Sequence, residues 1–142
     1  TAVDGKGRVA HHTGARILGT NAVQAGSDCM AAGNLLASTA VPKAMADGFA
    51  KHAKKHLADR LLAALEAGRD AGGEEGQIHS AGLFVVHEQP FPLVDLRIDW
   101  DDGDPVAALR RLWTAYEPQM GAYLARALDP TAAPSYGVPG DK

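Results

Sequence analysis

The 142-residue sequence has little cysteine, few aromatic side chains and no long apolar run. Its single cysteine, Cys29, cannot form an internal disulfide, and one thiol cannot build a zinc knuckle. The longest apolar runs, residues 61–65 and 81–86, are far shorter than the ~18 residues that a membrane-spanning helix needs. The formal net charge of −3 offers no basic surface to nucleic acid or to an anionic membrane. We therefore expect neither as a partner.

The first residues also lack the basic and apolar stretches of a secretory signal, which predicts a cytoplasmic location. An initiator methionine is missing too, because the chain begins with Thr1. Trimming of an initiator methionine and cleavage of a longer precursor both explain a first threonine.

The residues that are present, 46% hydrophobic and 22% charged, are typical of one globular domain. Glycines in residues 5–7 predict a tight hairpin over residues 1–13, and residues 14–33 read as irregular loop with short strands. Residues 80–88 and 93–100 predict a second hairpin joined by residues 89–92. Apolar and charged residues alternate strictly in its second strand, which predicts one apolar face formed by Val94, Leu96, Ile98 and Trp100.

Helical spacing dominates the middle and the end of the chain. Pro42 suits the first turn of a helix that Ser38 or Thr39 would cap, and a second helix from residue 56 is predicted to end at Gly68. Asp104 and Pro105 predict the start of a third helix, which Pro118 would interrupt. Its predicted buried face consists of Val106, Leu109, Leu112, Trp113 and Tyr116. Residues 129–142 read as an extended tail.

Strands at both ends with helices between them predict an α+β layered fold. Two hairpins provide few strands to cover three helices, so the chain looks like part of a larger sheet system.

Thr1 is the sharpest candidate for chemistry. A mature N-terminal threonine combines a hydroxyl nucleophile with an α-amine that can act as its base. A two-residue turn at residues 5–6 would pair Thr1 with Ala10 and place His12 on the diagonal, whereas a slip of one residue would place His11 opposite Thr1. Either histidine could tune the amine or bind substrate, and both could equally be ordinary strand residues.

Three further positions carry weaker signals. Asn34, which follows Gly33, could donate to a developing oxyanion, although loop asparagines commonly close turns. Arg16 could bind a substrate carboxylate, or it could be a solvated surface residue. His52 and His56 have metal-chelating spacing on a helix, but the lysines around them and the lack of an acidic partner favour a solvated face and no metal.

Several motifs resemble those of the bacterial and archaeal "domain of unknown function 1028" family (DUF1028). They are VDGKGRVA at residues 3–10 with Thr13–Gly14, GNLLAS at 33–38, LADRLLAALEAG at 57–68, VDLRID at 94–99 and DPVAALRRL at 104–112. The resemblance implies an N-terminal nucleophile (Ntn) hydrolase-like fold, a four-layer αββα sandwich. Family members carry additional chain before the first of these motifs.

The resemblance therefore favours cleavage of a precursor before Thr1. Residues 1–128 would then be the β-subunit part of one Ntn-like domain, and the upstream α chain of the same precursor would complete it in an (αβ)n oligomer. Together with the N-terminal threonine, this cleavage predicts a self-processing amidohydrolase without a cofactor. The resemblance implies no substrate, and the small-residue loop favours a small amide. Thr1 would be the nucleophile, Asn34 the oxyanion donor, His12 or His11 a nearby imidazole, and Arg16 an anchor for an anionic substrate.

Two other classes of function stay open. A non-catalytic Ntn-like binding or assembly domain would have the same fold without an acyl-enzyme. A metal-dependent hydrolase would have to use His52 and His56.

Overall fold

A computed structural model of the chain describes residues 1–137 as a mixed α+β fold with three helices and three small antiparallel sheets. The helices are α1 (Val41–Lys51), α2 (Leu57–Asp70) and α3 (Pro105–Leu128). The strands are β1 (Ala2–Val3), β2 (Val9–Ala10), β3 (Ala22–Gly26), β4 (Cys29–Gly33), β5 (Ala81–Val86) and β6 (Pro92–Ile98). Each sheet is one hairpin, β1–β2, β3–β4 or β5–β6. The predicted α+β class is confirmed.

The largest fully buried side chains lie where α2 and α3 pack on one face of the β5–β6 hairpin. Trp113, Leu109 and Leu62 are at most 1% exposed there, and Val94 closes the cluster from β6. Alternation along β5 buries every second side chain, as expected for a sheet with one covered face.

The predicted buried face of α3 is confirmed, with Leu109 and Trp113 at its centre. Along β6 the prediction holds for Val94 and, in half-buried form, for Leu96 and Ile98. It is wrong for Trp100, which is 69% exposed. The strand ends at Ile98, so the alternation does not extend to residue 100.

A polar network fixes α3 against α2 at the edge of this core. The Arg110 guanidinium donates to Asp59 over 2.8 Å and to both oxygens of Glu66 over 2.8 and 3.0 Å. The indole N–H of Trp113 donates to the same Asp59 carboxylate over 3.1 Å. The hydrogen bonds that Arg110 donates to Glu66 raise the pKa of Arg110, so the guanidinium stays charged within this network.

Two predicted helix boundaries are wrong. The residue that caps α1 is Ala40, with no side-chain cap, and Ser38 instead accepts a hydrogen bond from the Ala40 N–H over 3.3 Å. Pro42 does lie in the first turn, as predicted. Helix α2 continues past Gly68 because this glycine is a packing position, where an added Cβ would lie 2.7 Å from Met45 of α1.

Pro118 does not interrupt α3, contrary to the prediction. Tyr116 before the proline and Met120 after it both pack on the β5–β6 core. These contacts hold the two halves of the helix in line although Pro118 lacks the N–H for one backbone hydrogen bond.

Residues 14–33, which read as largely irregular, contain the regular β3–β4 hairpin, in which Ala22 pairs with Gly33 and Gly26 with Cys29. Its two-residue turn places Asp28 at a φ of +58°. Small side chains such as alanine and glycine give a weak strand signal, because they lack the branching that favours pleated backbone.

The tail begins with a short 3-10 turn, Pro130–Ala132, and Arg126 lies over the Tyr136 ring at 3.7 Å from its centroid. The extended tail predicted for residues 129–142 falls partly outside the described residues, which end at 137. Within residues 1–137, none of the helices combines the length and apolar character needed to cross a membrane.

Candidate functional site

The β1–β2 hairpin holds Thr1 and both candidate histidines, and its turn determines their register. Ala2 pairs with Ala10 and Val3 with Val9, so the predicted two-residue turn, which would pair Thr1 with Ala10, is wrong. One step further along, the observed register places His11 opposite Thr1, which is the alternative with a slip of one residue.

Asp4 explains why the turn is longer than predicted. Its carboxylate accepts hydrogen bonds from the backbone N–H groups of Lys6 and Arg8, each over 2.9 Å, and from the Arg8 side chain over 2.7 Å. These bonds, the Arg8 side-chain bond first, lower the pKa of Asp4. Gly7 takes a φ of +74°, which closes a three-residue loop of the kind that carries a left-handed glycine.

Asn34 lies directly after β4, and its side-chain amide closes a loop. The amide donates to the Leu18 carbonyl over 3.4 Å, and the backbone N–H of Leu35 donates to the same carbonyl over 3.3 Å. One of the two amide hydrogens of Asn34 is thus available for another acceptor. Leu35 has a φ of +52°, an uncommon value for a branched residue, so the Asn34–Leu35 turn is held by its surroundings.

The hairpins bring these positions to one side of the molecule without joining them. Both β1 and β2 lie against β4. Thr1, His11, His12 and Arg16 are all exposed, and Asn34 is half-buried. Within residues 1–137 no hydrogen bond or ion pair links these five residues to one another, so their proposed roles stay predictions.

The histidines with metal-chelating spacing have structural partners instead. The Nδ1 atom of His52 lies 2.9 Å from the Gly48 carbonyl oxygen. His56 caps α2 by accepting from the Ala58 N–H over 3.2 Å, and its ring stacks on Trp113 at 5.3 Å. In the part of the chain that the structure describes, no group of three or more histidine, cysteine or acidic residues could hold a metal ion.

An apolar groove that the sequence did not reveal runs between β4 and β5 above α1 and α2. Two cavities, of about 290 and 260 Å³, lie along it, and both are lined by Met45, Leu65 and Gly82. Cys29 lines one end, where partial burial raises the pKa of its thiol. The helical spacing of Met45 and Leu65 predicts that both face a core. Spacing alone could not show that they line an open groove.

Comparisons with known proteins agree on one family. A family model described as "Family of unknown function (DUF1028)" matches residues 1–109. A crystal structure of a protein from Silicibacter pomeroyi, assigned to the same family model, superposes with a TM-score of 0.74 at 30% sequence identity. The match covers 85% of this chain and 51% of the other, so the chain spans about half the length of that protein. No curated protein matches. The chain therefore belongs to the DUF1028 family.

Proposed function

We propose that this chain forms part of an Ntn-hydrolase-like αββα sandwich that additional polypeptide completes. Within residues 1–137 the strands make only hairpins, and Phe84 and Val86 on the open face of β5 are 60% and 62% exposed. A second sheet packed on that face would bury both side chains, each contributing roughly 1.5–3 kcal/mol. The half of the Silicibacter pomeroyi protein that this chain does not match supports this proposal, because it provides the chain for further strands.

The activity that we propose for the completed molecule is hydrolysis of the C–N bond of a small amide. Thr1 Oγ would attack the amide carbonyl, and the Thr1 α-amine would take the hydroxyl proton and pass it to the departing amine. Water would then hydrolyse the ester on Thr1 and restore the hydroxyl. The observation that supports this proposal is the β1–β2 register, because the pairing of Ala2 with Ala10 aligns His11 with Thr1 one step further along.

The other predicted residues take supporting roles in this proposal. Asn34 would donate its second amide hydrogen to the oxyanion, an interaction worth about 3 kcal/mol when the donor is well placed. In this register His11, rather than the predicted His12, would lie beside the amine, and the exposed Arg16 would anchor an anionic group of the substrate. Association of an upstream α chain with this β chain would precede any activity, and (αβ)n oligomers would follow from it.

The chemistry requires a free α-amine on Thr1, and therefore a cut in the precursor directly before Thr1. Intact-mass analysis of the protein expressed from the complete gene shows whether this cut occurs. We expect two associated chains from the wild type, one beginning at Thr1, and a single uncut chain from Thr1→Ala. Thr1→Ser is the matched control, because it keeps a hydroxyl nucleophile. A cut at the same bond in Thr1→Ala, or an uncut wild type, would contradict self-processing.

Acylation of Thr1 tests the activity separately. A β-lactone electrophile should add its mass to the wild-type β chain and leave Thr1→Ala unmodified. If no adduct forms on Thr1, the alternative applies, a non-catalytic Ntn-like binding or assembly domain. The exposed apolar face of β5 is the feature that favours this alternative.

A further inference from the structure

The groove between β4 and β5 has the length and the apolar lining that suit a missing β-strand. On the β4 side its two cavities border residues 29–33, and on the β5 side they border residues 80–84. Five residues of extended chain measure about 17 Å, so the groove matches a strand of ordinary length.

Both walls of the groove are strand edges with free backbone groups. β4 pairs only with β3, and β5 pairs only with β6. Within residues 1–137 no other backbone hydrogen bond reaches residues 29–33 or 81–86. In an antiparallel pair alternate residues direct their N–H and C=O groups away from the partner, so each wall presents a row of unpaired donors and acceptors.

The floor of the groove is apolar. Met45 and Phe49 of α1 and Leu61 and Leu65 of α2 line it, and charged side chains occur only at one end, where Arg69 and Glu74 lie. A strand in the groove would therefore place every second side chain on an apolar surface. An apolar floor between two unpaired strand edges is a site to which an extended segment can add as a further strand.

The two walls run in opposite directions. One cavity joins the start of β4, at Cys29, to Phe84 of β5, and the other joins the end of β4, at Gly33, to Ser80 just before β5. A single strand between them would be parallel to one wall and antiparallel to the other.

We propose that a β-strand of the additional polypeptide fills this groove, pairs with the free edge of β5 and rests alternate apolar side chains on Met45 and Leu65. This proposal rests on the completed sandwich proposed above. Half of the Silicibacter pomeroyi chain has no counterpart here, and the groove has room for one strand of backbone and apolar side chains, so a strand of that additional polypeptide is the occupant that we propose.

Amide exchange of the complete natural protein, followed by NMR, tests the proposal. If the β5 edge is free, the exchange rates of its amides alternate along the strand. Every second amide of residues 81–86 then exchanges about 100-fold faster than its neighbours. A paired edge gives uniformly slow exchange, which is the expected result. Amides around Leu109, in the buried part of α3, are the internal reference for a folded protein. Alternation along β5 would overturn the proposal.

A charge on the floor sharpens the test. Met45→Glu should restore alternating exchange along β5, because it places a carboxylate under the docked strand. Lys43→Glu, on the exposed side of the same helix, is the matched control and should leave exchange uniform. Uniform exchange in Met45→Glu would show that the strand does not rest on this floor and would contradict the proposal.

Other occupants and the other proposals give different results. Protection of β5 that disappears on 50-fold dilution while the α and β chains stay associated would identify a second copy of the chain and overturn the proposal. Thr1→Ala should leave the exchange pattern unchanged even if it abolishes hydrolysis.

Phe84→Cys in a Cys29→Ser background reports on the sandwich itself. A cysteine protected from thiol reagents together with alternating β5 amides would retain the sandwich and remove the strand from this groove.

Discussion

The hairpins at the two ends of the chain differ in how much side chain they bury. β5 and β6 contribute Leu83, Val85 and Val94 to a cluster sealed by α2 and α3, whereas β1 and β2 contribute no buried residue. Among residues 1–40 only Ala31 and Leu36 are buried hydrophobics. An isolated two-stranded hairpin is marginally stable in water, so the first region depends on its neighbours while the second carries its own core.

This difference matters for function, because the residues proposed for catalysis all lie in the first region. A catalytic group has to be held rigidly to be effective, and the packing that would hold Thr1 and Asn34 is not provided by the hairpins themselves. We infer that the additional polypeptide, rather than this chain, would provide that rigidity. The following predictions measure the contrast, beginning with the largest effect.

The two tryptophans provide the strongest test of the contrast. Trp113→Ala should lower the free energy of unfolding by about 3–5 kcal/mol, because it empties the centre of the core and leaves Asp59 without the indole donor. Trp100→Ala is the matched control. It removes an exposed ring that stacks on His79, and it should cost at most about 1 kcal/mol. Urea unfolding followed by circular dichroism compares them, and equal losses would refute a core centred on α3.

The next effect concerns the polar network between α2 and α3. Arg110→Gln should cost about 1.5–3 kcal/mol, because Asp59 and Glu66 lose a charged donor in a half-buried position. Lys43→Gln breaks the exposed pair with Asp47 and should cost roughly 0.3–0.5 kcal/mol. Urea unfolding followed by circular dichroism compares the two losses of unfolding free energy. If the two substitutions cost the same, the Arg110 network has no more weight than a surface ion pair.

A smaller effect is expected at the start of α3, and it depends on pH. Asp104 accepts from the Ala107 N–H over 2.9 Å, and this bond, with a contribution from Arg69, lowers the pKa of Asp104. Asp104→Ala should therefore cost about 1 kcal/mol at neutral pH.

The direction of the pH effect follows from the lowered pKa. A depressed pKa in the folded state gives stability that is present above the unfolded value of ~3.9 and is lost as pH falls through the folded value. The difference in unfolding free energy between the wild type and Asp104→Ala should therefore shrink below pH ~4. A difference that stays constant down to pH 2 would contradict the cap, and Asp47→Ala on the exposed face of α1 is the control.

The smallest effect belongs to the first hairpin. Asp4→Ala removes the carboxylate that organises the turn, so the amides of Lys6 and Arg8 should exchange faster. The midpoint of the main unfolding transition should stay unchanged, because no part of β1 or β2 lies in the core. Hydrogen exchange measures the first quantity and urea unfolding the second. A lowered midpoint would show that the two regions are coupled.

Sequence patterns predicted the second region well and the first poorly, for a physical reason. Periodic leucines in α2 and the Asp104–Pro105 start of α3 are local signals, and the structure confirms the helices that they predict. Errors occurred where a distant contact overrides a local signal, as at Gly68 beneath Met45 and at Pro118 within a packed helix. The register of β1–β2 depended on the Asp4 carboxylate, whose hydrogen bonds favoured one of two open alternatives.

The candidate site divides in the same way. Sequence motifs alone indicated the DUF1028 family and marked Thr1, His11, His12, Arg16 and Asn34 as residues of interest. They could not show that His11 rather than Ala10 lies opposite Thr1, or that Asn34 closes a loop onto Leu18.

The amino-acid sequence by itself determined the helices, the first and last hairpins, the α+β class and the family, because each rests on the spacing of residues along the chain. Only the tertiary structure decided the hairpin register, the half-buried network around Arg110 and the groove between β4 and β5. These features join residues that are distant in sequence. Their geometry depends on how helices and sheets pack, which spacing along the chain does not encode.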